Sequence, residues 1–163
     1  MVFLILESTF MLNILKRNVM FDEIKLISTK GHLYTYSFFK NKIDYSLKED
    51  KKEISFFFST IDNEKNTIII ASDQDPAGEL IAFEISGFFK KAKVFRFLKP
   101  VETLLEVKRV NEEYLLKYCV SKINVLKGVR YLEERFLSDY KDEKIKALSA
   151  LYNKGITKVP LKD

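Results

Sequence analysis

"IIIASDQDPAGELIAFEI", residues 68–85, is the stretch that decides the fold. With Thr67 it opens on a β-branched apolar run, "TIIIAS" (67–72), of the kind that forms a strand buried on both faces. Asp73 and Asp75 follow, one residue apart, and then Pro76, which suits the first turn of a helix because its missing N–H costs nothing there. Leu80, Ile81, Phe83, Ile85, Phe88 and Phe89 then supply an apolar face for a helix over 76–92. Two carboxylates are thus placed in the joint between a buried strand and a helix.

The same grammar repeats on either side. "VFLIL" (2–6) reads as a strand, and 8–18 as a helix capped by Ser8 or Thr9 with Phe10, Leu12, Ile14 and Leu15 on its apolar face. Residues 23–29 read as a second strand, closed by Lys30-Gly31-His32. Weak periodicity and heavy charge make 37–53 an irregular insert. A short strand is expected over 54–61, a turn over 62–66, and a strand over 93–98 closed by Lys99-Pro100. From Val101 the spacing turns helical, over 101–122 and again over 123–154, with Gly128 a weak point and 155–163 a tail. Strands alternating with helices predict an α/β fold with a mainly parallel central sheet flanked by helices. The expected division is an α/β domain over 1–100 and a C-terminal helical extension over 101–163. Right-handed crossovers bring the strand ends to one edge, where ligands of such sheets gather.

Composition bounds the rest. The chain has 163 residues, 47% of them hydrophobic, enough for one domain with a core and a short appendage. Its net charge of +5 suits a nucleic-acid partner, although many Lys-rich proteins have none. A single cysteine, Cys119, excludes an intrachain disulfide framework and points to a cytoplasmic protein with a buried, inert thiol. Glu7 breaks the apolar N-terminus, which has no basic segment before it. No run reaches the roughly 18 apolar residues of a membrane span, so no membrane partner is expected. Fourteen phenylalanines, including "FFF" at 56–58, suit base stacking or, more often, a core without tryptophan.

Glu7 ends the first strand. If that strand neighbours "TIIIAS", three carboxylates meet at one edge and repel unless a cation or protons intervene. Mg²⁺ prefers hard oxygens and takes one or two carboxylates with water and phosphate, and the helix from Pro76 turns N–H groups towards an approaching phosphate. The same residues also fit plainer roles: Asp73 in a turn, Asp75 as a helix cap, Glu7 as a strand-end charge.

"ILES" (5–8), "STKGHL" (28–33) and "ASDQDPAGELIA" (71–82) together resemble the TOPRIM domain of type IA DNA topoisomerases, in order and in spacing. The fold implied is Rossmann-like. "KINVLKGVRYLEERF" (122–136) is similar to the helix that follows TOPRIM in those enzymes. The resemblance implies that Glu7 is the general acid and base at the leaving deoxyribose oxygen. It implies that Asp73 and Asp75, with Glu7, hold Mg²⁺, with Mn²⁺ as a substitute. Gly31, Gly78 and Glu79 would support the site, Glu79 either through water or by bracing the loop. His32 would meet a phosphate, or else bond backbone as a loop histidine. Lys16, Arg17, Lys30 and Arg96, and beyond them Arg130 and Arg135, are the cations available to a nucleic-acid backbone.

The chain departs from the family pattern in three places. Pro76-Ala77 stands where those topoisomerases carry Arg-Glu. Met11 stands where they carry a phosphate-placing lysine, for which Lys16 and Arg17 are the candidate substitutes. None of the eight tyrosines lies in a setting like that of the topoisomerase nucleophile. DNA relaxation by this chain alone is therefore not expected. Three functions remain open. The first is a topoisomerase fragment or subunit acting on DNA, single-stranded at the site, whose tyrosine lies on a second polypeptide. The second is a stand-alone phosphodiesterase using metal-activated water. The third is a non-catalytic scaffold that binds nucleic acid or protein.

Overall fold

A computed structural model of the chain describes residues 1–39 and 42–121, with backbone alone for 37–39 and 42–44. Its main sheet joins β1 (Val2–Leu6), β3 (Ile24–Ser28), β6 (Thr67–Ile70), β7 (Lys93–Phe97) and β9 (Cys119–Val120) in the order β3-β1-β6-β7-β9. The first four strands are parallel, and β9 runs antiparallel on β7. A short parallel pair, β2 (Met20–Phe21) with β8 (Arg109–Val110), lies outside the sheet. The fold is Rossmann-like α/β, as expected.

Crossover direction places the helices. From β1 the chain passes through α1 (Thr9–Asn18) to β3, on one side; from β6 it passes through α3 (Pro76–Ser86) to β7, on the other. Right-handed crossovers running in opposite directions put their helices on opposite faces. Leu12 and Leu15 of α1 accordingly pack with Leu4, Leu6, Ile69, Val101 and Leu115. Leu80, Ile81, Phe83 and Ile85 of α3 pack with Phe3, Ile5, Ile68 and Ile70 on the other face. β1 and β6, buried at every position, take alternate residues to the two cores, which is why they read as unbroken apolar runs. The order reverses between β1 and β6, and the crevice at the carboxyl ends of those two strands is the switch point of the sheet.

Three expected elements take other forms. The insert at 37–53 contains most of an antiparallel hairpin, β4 (Tyr34–Phe39) with β5 (Lys42–Leu47), then a 3-10 turn at Glu49–Lys51. Tyr34, Tyr36 and Leu47 anchor it on the core. The strand expected over 54–61 is a helix, α2 (Lys52–Ile61), whose Ile54, Phe58 and Ile61 meet the core at helical spacing while Phe56 stays exposed. Residues 101–121 are not one helix. They form a 3-10 turn (Val101–Glu106), β8, α4 (Glu112–Leu116) and β9, because Val101, Leu104, Val110 and Leu115 do not recur at 3.6 spacing and the intervening segments pair with β2 and β7. The helix expected over 76–92 stops at Ser86. The backbone N–H groups of Lys90, Lys91 and Ala92 then turn onto the Asp62 carboxylate. The helix expected over 123–154, the similarity at 122–136, Arg130 and Arg135 lie outside the described residues.

Candidate functional site

Glu7 leaves β1 at the switch point, half-buried. Its carbonyl accepts from Gly31 N–H at 3.0 Å, and its carboxylate Oε1 accepts from Asp73 N–H at 2.5 Å. One residue thus ties the loop after β3 to the loop after β6. Burial pushes the Glu7 carboxyl above the usual range, and the negative Asp73 and Asp75 add to it; the Asp73 N–H and the His32 charge work the other way. Asp73 is also raised, by burial first and then by Asp75 and Glu102, against the pull of Arg96 and a hydrogen bond with Glu7.

Asp75 is the N-cap of α3. Its Oδ1 accepts from Gly78 N–H at 2.6 Å, as the plainer reading held, and the cap leaves the residue exposed beside Asp73. Gly78 is there for space: a Cβ at this position would lie 1.8 Å from the Asp73 carbonyl oxygen. Ser72 Oγ donates to Gly78 O at 2.7 Å and closes the turn.

Glu79 points inward, buried against Arg96, with Nη2 to Oε1 at 3.1 Å. It braces the loop. Arg96 is fully buried and donates to the carbonyls of Ile70 (3.2 Å), Ser72 (2.8 Å) and Asp73 (2.8 Å). This corrects its expected place on a nucleic-acid surface: the guanidinium is spent on the floor of the Asp73 loop.

The loop after β3 carries Lys30 at φ 55° and Gly31 at φ 90°, left-handed geometry that glycine tolerates without strain. Lys51, buried, donates Nζ to Thr29 O at 2.8 Å and Lys30 O at 3.0 Å and holds the loop from beneath. His32 is one of its last residues. Its Nδ1 stands 3.6 Å from Oε1 of Glu84, which also accepts from Leu33 N–H at 2.9 Å. The side chain of Lys30 is exposed at this edge.

Lys16 and Arg17 are elsewhere. They occupy the last turn of α1, about 12 Å of helix rise beyond Ser8, and Lys16 lines a shallow cavity with Ile24 and Lys25 at the amino end of β3. Both thus stand at the opposite end of α1 from Ser8. Cys119 lies half-buried in β9 rather than buried in a helix, and burial raises its thiol to about 12.

The sequence reading missed four residues at or beneath the edge: Lys51, Tyr36, Glu84 and Glu102. Lys51 is hidden in a charged run. Glu84 carried a signal, since it interrupts the apolar face "IAFEIS" of a helix buried along Gly78–Ser86. Among the described residues no three histidine, cysteine, aspartate or glutamate side chains converge into a ready metal cage. The exposed Asp73 and Asp75 fit a hard cation that takes one or two carboxylates and completes its shell with water and phosphate, and their mutual repulsion leaves negative charge to neutralise.

A family model for the Toprim domain matches residues 7–110. No curated protein matches the chain. Among solved structures it is similar to full-length topoisomerase I from Thermotoga maritima, at 19% identity and a TM-score of 0.55, over 83% of this chain and 23% of that one. The likeness is one of fold, and the chain spans under a quarter of that protein's length. Among the described residues no helix is long and apolar enough to cross a membrane.

Proposed function

The chain belongs to the Toprim domain family, and from that premise we propose that its switch-point edge acts on nucleic-acid phosphodiesters, with Glu7 as general acid and base. One observation carries this reading. The Glu7 carboxyl is half-buried at the switch point, accepts the Asp73 N–H and is raised above its ordinary range by burial, the direction that suits a group that must give up and take back a proton.

Asp73 and Asp75 would hold Mg²⁺, or Mn²⁺ in its place; the ion would neutralise and orient the phosphate. Glu7 gives its proton to the departing deoxyribose oxygen when the phosphodiester opens and takes it back when the strand is rejoined. His32 and Lys30 meet phosphate oxygens from the neighbouring loop. Arg96 and Glu79 keep the Asp73 loop in place without touching the substrate. The substrate is DNA, single-stranded at the edge, and the nucleophile is a tyrosine supplied by a second polypeptide. The protein would work in the cytoplasm.

A second reading is a scaffold that binds nucleic acid without cutting it. It is favoured by Met11 and by Pro76-Ala77, which leave the edge without the cation and the third acid of the topoisomerase pattern. The two readings separate on a single-stranded DNA oligonucleotide incubated with Mg²⁺, with and without a tyrosine-bearing topoisomerase body. Cutting that needs both Mg²⁺ and the tyrosine-bearing body and is lost in Glu7→Gln supports the first reading. Oligonucleotide binding that is indifferent to Mg²⁺ and to Glu7→Gln, without cutting, supports the second. Cutting by the chain alone, lost in the same variant, identifies a hydrolase.

A further inference from the structure

Glu84 has no exposed surface and sits in α3 where every neighbour in sequence is buried. A carboxylate in such a place is costly unless it is bonded on all sides. It is held by Leu33 N–H on Oε1 and by the Tyr36 hydroxyl on Oε2, at 2.5 Å. The His32 Nδ1 faces Oε1 at 3.6 Å, an ion-pair distance longer than a hydrogen bond. The residue before His32, Gly31, donates its N–H to the Glu7 carbonyl at 3.0 Å. The imidazole is thus carried on a loop tied to the switch-point edge while its Nδ1 faces a carboxylate of the core. A carboxylate needed only to pin the Leu33 backbone would not need to face the ring.

We propose that Glu84, held by Tyr36, is a positioning residue for His32: it draws the Nδ1–H inward and so presents Nε2 to the edge beside Glu7, where a substrate phosphate oxygen is met. Which imidazole nitrogen carries the proton is set by what the other edge of the ring faces, and here Glu84 sets it. The inference rests on the reading of His32 as a phosphate contact.

The chain has one histidine, so its two ring nitrogens give unambiguous signals in a ¹⁵N NMR spectrum. At about pH 8.5, above the ordinary imidazole range near 6.5, the wild type is expected to show a protonated Nδ1 and a bare Nε2. In Glu84→Gln the two shifts move towards each other as the tautomers mix. Tyr36→Phe moves them the same way by a smaller amount and keeps the carboxylate, which covers the case that Glu84→Gln does not fold. Identical nitrogen shifts in the wild type and in the folded variants overturn the proposal. Adding a single-stranded oligonucleotide with Mg²⁺ should then move Nε2 of the wild type. An unmoved Nε2 overturns the phosphate reading of His32. Because the tautomer is read without nucleic acid, the two failures are told apart.

Discussion

The Arg96 guanidinium and the Glu79 carboxylate stand 3.1 Å apart, both buried, directly beneath the loop that presents Asp73 and Asp75. Arg96 comes from β7 and Glu79 from α3, so the pair links a strand and a helix through the floor of the edge. Its worth lies in what is lost when one partner goes. Removing one member of a buried pair strands the other charge and costs about 3–5 kcal/mol. Arg96→Met is therefore expected to lower stability by that order in urea denaturation. Arg96→Lys recovers only part of it, because one ammonium cannot reach the Ser72 and Asp73 carbonyls and Glu79 together.

Gly78 allows no side chain. A Cβ 1.8 Å from the Asp73 carbonyl oxygen requires the helix or the loop to move. Gly78→Ala is expected to cost more than about 3 kcal/mol, among the larger single-residue effects. Thermal unfolding followed by circular dichroism measures it, and a loss below about 1 kcal/mol would mean that the loop and helix can separate freely.

Asp73 works against the fold. Its pKa is raised by burial, then by Asp75 and Glu102, so the folded state binds its proton more tightly than the unfolded state does. The folded state is then favoured at low pH, and that advantage fades as pH rises through the ordinary aspartate value to the folded one. At neutral pH the charged form is a cost, and Asp73→Asn should raise the melting temperature while removing the proposed cation binding. Differential scanning calorimetry at neutral pH checks it; a fall in melting temperature would contradict the account.

Asp62 has the opposite sign. Burial raises its pKa, but the N–H groups of Ala92, Lys90 and Lys91 outweigh that, and the carboxylate titrates below its ordinary value. Its contribution is present above the unfolded aspartate value and is lost as pH falls through the folded one. Asp62→Ala should cost about 2 kcal/mol at pH 7, as charged hydrogen bonds do, and the difference from wild type should shrink on acidification. Urea midpoints measured across the acid range test both halves.

How much of this was legible follows from what each residue touches. The strands at 2–6 and 67–70 announced themselves because a strand covered on both faces is apolar throughout, and those at 24–28 and 93–97 were legible although Lys25, Lys93 and Arg96 interrupt them. The helix α2 did not, since "ISFFFSTI" is short, aromatic and β-branched, and only packing chose the 54-58-61 face. The segment after Val101 misled because isolated apolar residues can be placed on a helical wheel although β8 and β9 take their shape from distant strands. At the edge, Glu7, Asp73, Asp75, Gly31 and Gly78 were readable because their loops are local. Arg96 was misread: it shares the parity of Val94, which packs in the core that contains α3, although charge suggested a surface. Lys51 reaches the loop after β3 from 22 residues away, and Glu84 meets Leu33 across 51. No local pattern encodes those bonds.

The proposed chemistry depends most directly on a cation at the paired aspartates. Calorimetric titration of Mg²⁺, then Mn²⁺, into the chain and into Asp73→Asn/Asp75→Asn tests it. The double variant keeps the cap of α3, since asparagine caps as well as aspartate. Binding by the wild type with or without a single-stranded oligonucleotide, abolished in the variant, is the result predicted. Absence of binding in the wild type even with the oligonucleotide present, or equal binding in both proteins, would contradict it.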